Sequence, residues 1–253
     1  MTSRHSLRHR LLAFACAATS ALALLAAVSP GSLASPAKGR GPWTDFPWPS
    51  SQWPACDAPS ASPGAGLPAG DEHLVVVLGD SLIRDDRARL TAAFARRGFT
   101  PVFICKGGMG LDWGREQVDA LARLRLLPRC LVVNLGVNDL KGTTEANLAD
   151  AVGMPVVRER LEHFAASASG IDHVLFVEPT ADVSRAPGTL AAAGQFPSVW
   201  REAVDESGVG SIVPWAQRAM RHPGRIGSDG VHDTPVGAAA RARLIARNVA
   251  SGC

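Results

Sequence analysis

Residues 73 to 82 run His73-Leu74-Val75-Val76-Val77-Leu78-Gly79-Asp80-Ser81-Leu82. The run His73 to Leu78 is rich in β-branched residues and apolar at consecutive positions, so a strand made from it has no face to offer water. Strands buried on both faces belong to parallel sheets covered by helices. Gly79 and Asp80 interrupt the run, and the amphipathic stretch Asp85 to Arg97 follows, as a strand-turn-helix unit requires.

The same alternation continues down the chain. Pro101 to Cys105, Cys130 to Leu135, His173 to Val177 and Val209 to Val213 are further short apolar runs. Arg115 to Leu126, Pro155 to Ala168 and Phe196 to Ser207 lie between them with helical periodicity, and Val236 to Ala250 follows the last run. Strands and helices alternating in this way predict an α/β domain over residues 73–253, a three-layer α/β/α sandwich around a five-stranded parallel sheet. No internal repeat is visible.

Chemistry in such sheets gathers at the carboxyl ends of the strands. Gly79-Asp80-Ser81-Leu82 follows the first strand, Lys106-Gly107-Gly108-Met109-Gly110 the second, and Gly136-Val137-Asn138-Asp139 the third. Asp229-Gly230-Val231-His232 follows the fifth, just before the final helix. Four polar, glycine-rich segments therefore fall on one sheet edge.

A serine hydroxyl becomes a useful nucleophile when a base takes its proton and a third group holds that base. Ser81 lies in a strand-to-helix turn, His232 is the candidate base, and Asp229, three residues earlier, is placed to orient the imidazole. The amide at the start of the helix after Ser81, the amide of Gly110 and the side-chain amide of Asn138 are candidate donors to a developing oxyanion. Singly these signals are weak, since Gly-Asp-Ser, Asn-Asp and Asp-x-x-His all have ordinary uses in turns and caps. Their order and shared edge give them weight.

On these residues the chain resembles the SGNH/GDSL hydrolase superfamily. Its four blocks match Gly79-Asp80-Ser81-Leu82, the glycine block ending at Gly110, Gly136-x-Asn138-Asp139 and Asp229-x-x-His232. The stretch His222 to His232, followed by Thr234-Pro235-x-Gly237, also looks like the SGNH domains that occur alone or fused to membrane acyltransferases in actinobacteria. The resemblance implies a flavodoxin-like sheet of order 2-1-3-4-5 and an acyl-enzyme mechanism. By it, Ser81 is the nucleophile, His232 the base, Asp229 its partner, and Ser81, Gly110 and Asn138 the oxyanion hole. Gly108 competes with Gly110 for the amide role. Asp233 departs from the family pattern, which has an apolar residue there. Substrate contacts are expected from Leu82, Met109, Trp113 and the segment from Glu178 to Gln195, with Trp113 either stacking on a sugar or covering the second helix.

The first 34 residues carry Arg4, Arg8 and Arg10 without an acid, then the apolar run Leu11 to Val28 and the small residues Ser32-Leu33-Ala34. They read as a signal peptide cleaved near Ala34, and so as an extracytoplasmic protein with no stable membrane insertion after cleavage. Removing those three arginines from 26 basic residues leaves 23 against 23 acidic ones. That balance, without a basic patch, excludes nucleic-acid binding. Residues 35 to 72 form an irregular Pro- and Trp-rich arm holding Trp43, Trp48 and Trp53, which either pack on the domain or make a sugar platform.

Four cysteines remain after cleavage, an even number for an oxidising compartment. Cys105 closes the second strand at the active-site edge, while Cys130 opens the third, and Cys253 ends the last helix, at the opposite edge. A strand is about 17 Å long, and bridged Cα atoms lie about 4.4 to 6.8 Å apart. The expected bridges are therefore Cys56–Cys105 and Cys130–Cys253. No Cys-His spacing suggests a metal, and no cofactor is expected. The expected activity is hydrolysis of a carboxylic ester, in an O-acylated carbohydrate or a small ester. Acyl transfer to a glycan hydroxyl and non-catalytic glycan binding are the competing readings.

Overall fold

The structure is a computed structural model, and it describes Cys56 and residues 73–123, 125–139, 153–182, 184–185 and 196–253. The expected signal peptide and all of the arm except Cys56 lie outside these residues. Strands β1 (Leu74–Gly79), β2 (Thr100–Cys105), β3 (Cys130–Asn134), β4 (His173–Val177) and β5 (Ser211–Val213) form one sheet of order β2-β1-β3-β4-β5. All four neighbouring pairs are parallel, with Val76 opposite both Val102 and Leu131. The expected three-layer α/β/α class and the order 2-1-3-4-5 are both observed.

Among the described residues, six α-helices cover the sheet: α1 (Ser81–Ala95), α2 (Leu111–Arg123), α3 (Gly153–Ala168), α4 (Phe196–Ser207), α5 (Trp215–Met220) and α6 (Pro235–Gly252). Alternate residues of each strand divide the core between the two faces. Leu74, Val76 and Leu78 pack with Val118, Phe164 and Trp200 beneath α2, α3 and α4. Val75 and Val77 pack with Leu90, Phe94, Trp215 and Ile245 beneath α1, α5 and α6. Phe176 joins Phe164 and Trp200 through edge contacts at 5.9 and 6.2 Å between ring centroids.

Helix α4 spans the expected Phe196 to Ser207, whereas α1, α2 and α6 begin earlier than periodicity alone suggests, because capping chemistry sets their starts. The Asp80 carboxylate accepts the Leu82 amide at 3.0 Å, so α1 starts at Ser81 rather than Asp85. The α2 start at Leu111, four residues before the expected Arg115, is capped from across the fold, the Leu111 amide donating to Asp139 Oδ2 at 3.0 Å. Thr234 caps α6 through the Gly237 amide, with Pro235 in the first helical turn. The last strand is shorter than the expected Val209 to Val213. Gly210 instead lies against the sheet, where a Cβ would stand 2.6 Å from the Val174 carbonyl. Helix α5 was not foreseen, as six residues are too few for a period to show.

Both expected disulfides, Cys56–Cys105 and Cys130–Cys253, are present, with Cα separations of 5.4 and 5.8 Å. Among the described residues, no helix is long and apolar enough to cross a membrane.

Candidate active site

The strand ends bring three distant segments together. Ser81 Oγ lies 3.0 Å from His232 Nε2, across 151 positions of sequence. His232 Nδ1 lies 2.6 Å from Asp229 Oδ2. With Nδ1 carrying the proton towards the carboxylate, Nε2 presents a lone pair to the serine hydroxyl. Asp229 Oδ1 also accepts the amides of Val231 and His232, at 3.0 and 2.9 Å. Partial burial opposes ionisation of Asp229, but those two amides and the imidazole outweigh it and lower its pKa. The carboxylate thus remains charged, as an imidazolium partner must.

The loop bearing these two residues is held at both ends. Ile226 and Asp233 form an antiparallel bridge, and the Gly227 amide donates to the His232 carbonyl at 2.6 Å. Gly230 has φ +75°, a conformation that explains the glycine between Asp229 and Val231. The segment after β4 braces the loop: the Asp182 amide donates to the Gly230 carbonyl, and Arg185 Nη1 donates to the Ile226 carbonyl at 2.6 Å.

Asn138 and the glycine block stand beside the serine turn. Asn138 Nδ2 donates to Asp80 Oδ2 at 2.9 Å and to the Met109 carbonyl at 3.0 Å. Both amide protons have acceptors, so a substrate oxyanion would have to share or displace one of them. Asp80 has no exposure, and burial raises its pKa to about 6 against the smaller pull of the Leu82 amide, Arg241 and His232. The three nearby glycines differ in their constraints. A Cβ on Gly110 would lie 2.6 Å from Asp139 Oδ2, and one on Gly107 would lie 3.0 Å from an Arg84 nitrogen and 3.9 Å from Ser81 Cβ. Gly108 has φ +79° and open space around it.

The expected substrate contacts are differently placed. Leu82, at the start of α1, is 6% exposed, and Met109 is half-buried, with its carbonyl accepting from Asn138. Trp113 packs against the hydrophobic cluster beneath α2. Glu178 is fully buried and paired with Arg201 Nε at 2.5 Å, which makes it a strut between β4 and α4.

Sequence reasoning assigned no role to the groups behind the site. Asp139, which caps α2, also pairs with Arg160 Nη1 at 3.1 Å, and burial raises its pKa despite the Leu111 amide and Arg160. Arg241, Asp86 and Asp233 form a buried ion cluster behind Ser81 and His232. Asp233 gave the one sequence signal, as a departure from an apolar pattern.

Among the described residues, no group of three or more His, Cys, Asp or Glu is arranged to hold a metal ion. The chain matches no protein-family model and no curated protein. It is similar in structure to a lipase/acylhydrolase from Enterococcus faecalis, at 18% identity and a TM-score of 0.58, over 71% of this chain and 96% of that one. It is similar to the C-terminal catalytic domain of peptidoglycan O-acetyltransferase A from Streptococcus pneumoniae, at 20% identity and a TM-score of 0.54, over 70% and 90% of the two chains. An acetyl xylan esterase, AlAXEase, matches at 15% identity and a TM-score of 0.54, over 70% and 99%. The sheet order, the helical layers and these likenesses together give this chain the fold of the SGNH/GDSL hydrolases.

Proposed function

We propose that this chain is a secreted serine esterase that hydrolyses a carboxylic ester of an acylated carbohydrate or a small alcohol. The carrying observation is the continuous chain of contacts from Ser81 Oγ through His232 to Asp229. Ser81 Oγ attacks the ester carbonyl while its proton passes to His232 Nε2, and Asp229 stabilises the imidazolium. The Ser81 and Gly110 amides and the Asn138 side chain bind the oxyanion. Collapse releases the alcohol with the proton from His232 and leaves an acyl-Ser81 ester. Water, deprotonated by His232, attacks this ester and releases the acid.

The acylhydrolase and acetyl xylan esterase among the similar structures support this reaction class. Transfer of the acyl group to a glycan hydroxyl is the second reading, supported by the similarity to an O-acetyltransferase domain. It uses the same acyl-Ser81, with sugar in place of water. Export is supported by the leader-like first 34 residues and the two disulfides.

The test is turnover of a short-chain aryl ester by the mature protein. Ser81→Ala should reduce kcat by roughly 10⁴-fold or more and abolish labelling by a fluorophosphonate. Wild-type protein that neither turns over the ester nor takes the label would refute the proposal. Adding a sugar acceptor and looking for new ester product divides hydrolysis from transfer.

A further inference from the structure

We propose that Arg241 is a positioning residue that locks the His232 loop onto the Ser81 helix through Asp233 and Asp86. The proposal rests on the esterase reading of the same site. Arg241, on α6, is 1% exposed. Its Nη2 donates to the Leu82 carbonyl at 2.9 Å and to Asp86 Oδ2 at 2.7 Å, while its Nε stands 3.0 Å from Asp233 Oδ2. Leu82 follows Ser81, Asp86 lies about one turn further along α1, and Asp233 follows His232. One guanidinium therefore touches the residue after each of the two groups that exchange a proton. It joins the loop to α1 independently of the Ser81–His232 hydrogen bond.

The arrangement is a poor way to gain stability. Burying two carboxylates around one cation gives up solvation that an apolar residue at 233 would never need. The pairing is also incomplete, because both Asp233 oxygens and Arg241 Nε and Nη1 are buried without a hydrogen bond. Arg89 reaches the outer Asp86 oxygen only at 3.5 Å. What the cluster supplies is direction. Nη2 of the planar guanidinium holds α1 at two acceptors, and Nε holds the loop against it by charge, whereas an apolar contact would let the two slide. Proton transfer between Ser81 and His232 is sensitive to such sliding.

The experiment compares wild type with Asp233→Asn, Arg241→Lys, Arg241→Met and the Asp233→Asn/Arg241→Met double variant. Turnover is expressed per fluorophosphonate-reactive site, which discounts unfolded protein. Arg241→Met should lower kcat by about tenfold to a hundredfold with KM nearly unchanged, as loss of alignment does. Arg241→Lys should recover part of this, and the double variant should lose less than the product of the single losses. The low-field proton resonance of His232 Nδ1 should broaden in Arg241→Met and in Asp233→Asn. Wild-type kcat per site together with an unchanged resonance in Asp233→Asn and Arg241→Lys would overturn the proposal. So would losses that only follow the number of reactive sites. Absence of wild-type turnover would strike the esterase reading instead, and the resonance alone would then decide the positioning role.

Discussion

Gly114 sits inside α2, one turn after Gly110, where helix propensity and packing make opposite demands. Propensity alone favours Gly114→Ala by about 1 kcal/mol. The structure reverses the sign. A Cβ at 114 would stand 2.9 Å from Phe164 Cε2 and closer still to Leu135 Cδ1, well inside ordinary carbon contact. Neither neighbour can withdraw, since Leu135 is 1% exposed, Phe164 is fully buried, and Phe164 is fixed against Phe176. Overpacking of this kind costs about 1–3 kcal/mol, so the net expectation is about 1 kcal/mol of destabilisation after the propensity gain. Thermal unfolding should show a Tm lower by about 2–4 °C. The displaced helix carries the Gly110 amide with it, so kcat for an aryl ester should fall as well. In a Leu135→Ala background, where the blocking methyls are gone, the same change should be less harmful. A Gly114→Ala protein with a raised Tm and full activity would show that the packing around residue 114 yields to a methyl group.

The disulfides and the buried carboxylates give two further expectations. Breaking Cys130–Cys253 with serines should destabilise the fold more than breaking Cys56–Cys105, since the sequence separations are 123 and 49 residues. The entropic difference is about 1 kcal/mol, readable as Tm, and the reverse order would contradict it. For pH, burial raises both Asp80 and Asp233 from 3.8 to about 6, so the folded chain holds their protons more tightly than the unfolded one. Stability should therefore rise as pH falls from 8 to 5, by about 1.4 kcal/mol for each group, with the full gain of about 3 kcal/mol reached only below the unfolded pKa of 3.8. Asp229 acts oppositely, its pKa being lowered, and its contribution is lost only at pH below the ordinary carboxylate range. A Tm that is flat or falling from pH 8 to pH 5 would exclude this balance.

The parts of the molecule that were legible in sequence are those governed by neighbours along the chain. Val75, Val76 and Val77 announce a strand buried on both faces, and the following Gly-Asp-Ser announces a turn, because burial and backbone freedom are local properties. The Cys pairing was also legible, since a strand is longer than a disulfide and the sheet edges follow from strand direction. The starts of α1 and α2 were not. The cap of α2 is Asp139, distant in sequence, and no local period contains it. The burial of Leu82, next to Ser81, was likewise not legible, because it depends on α1 beginning at Ser81.

Short runs of residues are enough to encode the parallel sheet, the edge on which Ser81, Asn138, Asp229 and His232 meet, and the two disulfide pairings. The packing of the whole fold sets the 3.0 Å between Ser81 Oγ and His232 Nε2 and the place of Arg241 behind both. Strand direction and burial are encoded in runs of a few residues, whereas a distance across 151 positions is set by how helices pack on the sheet.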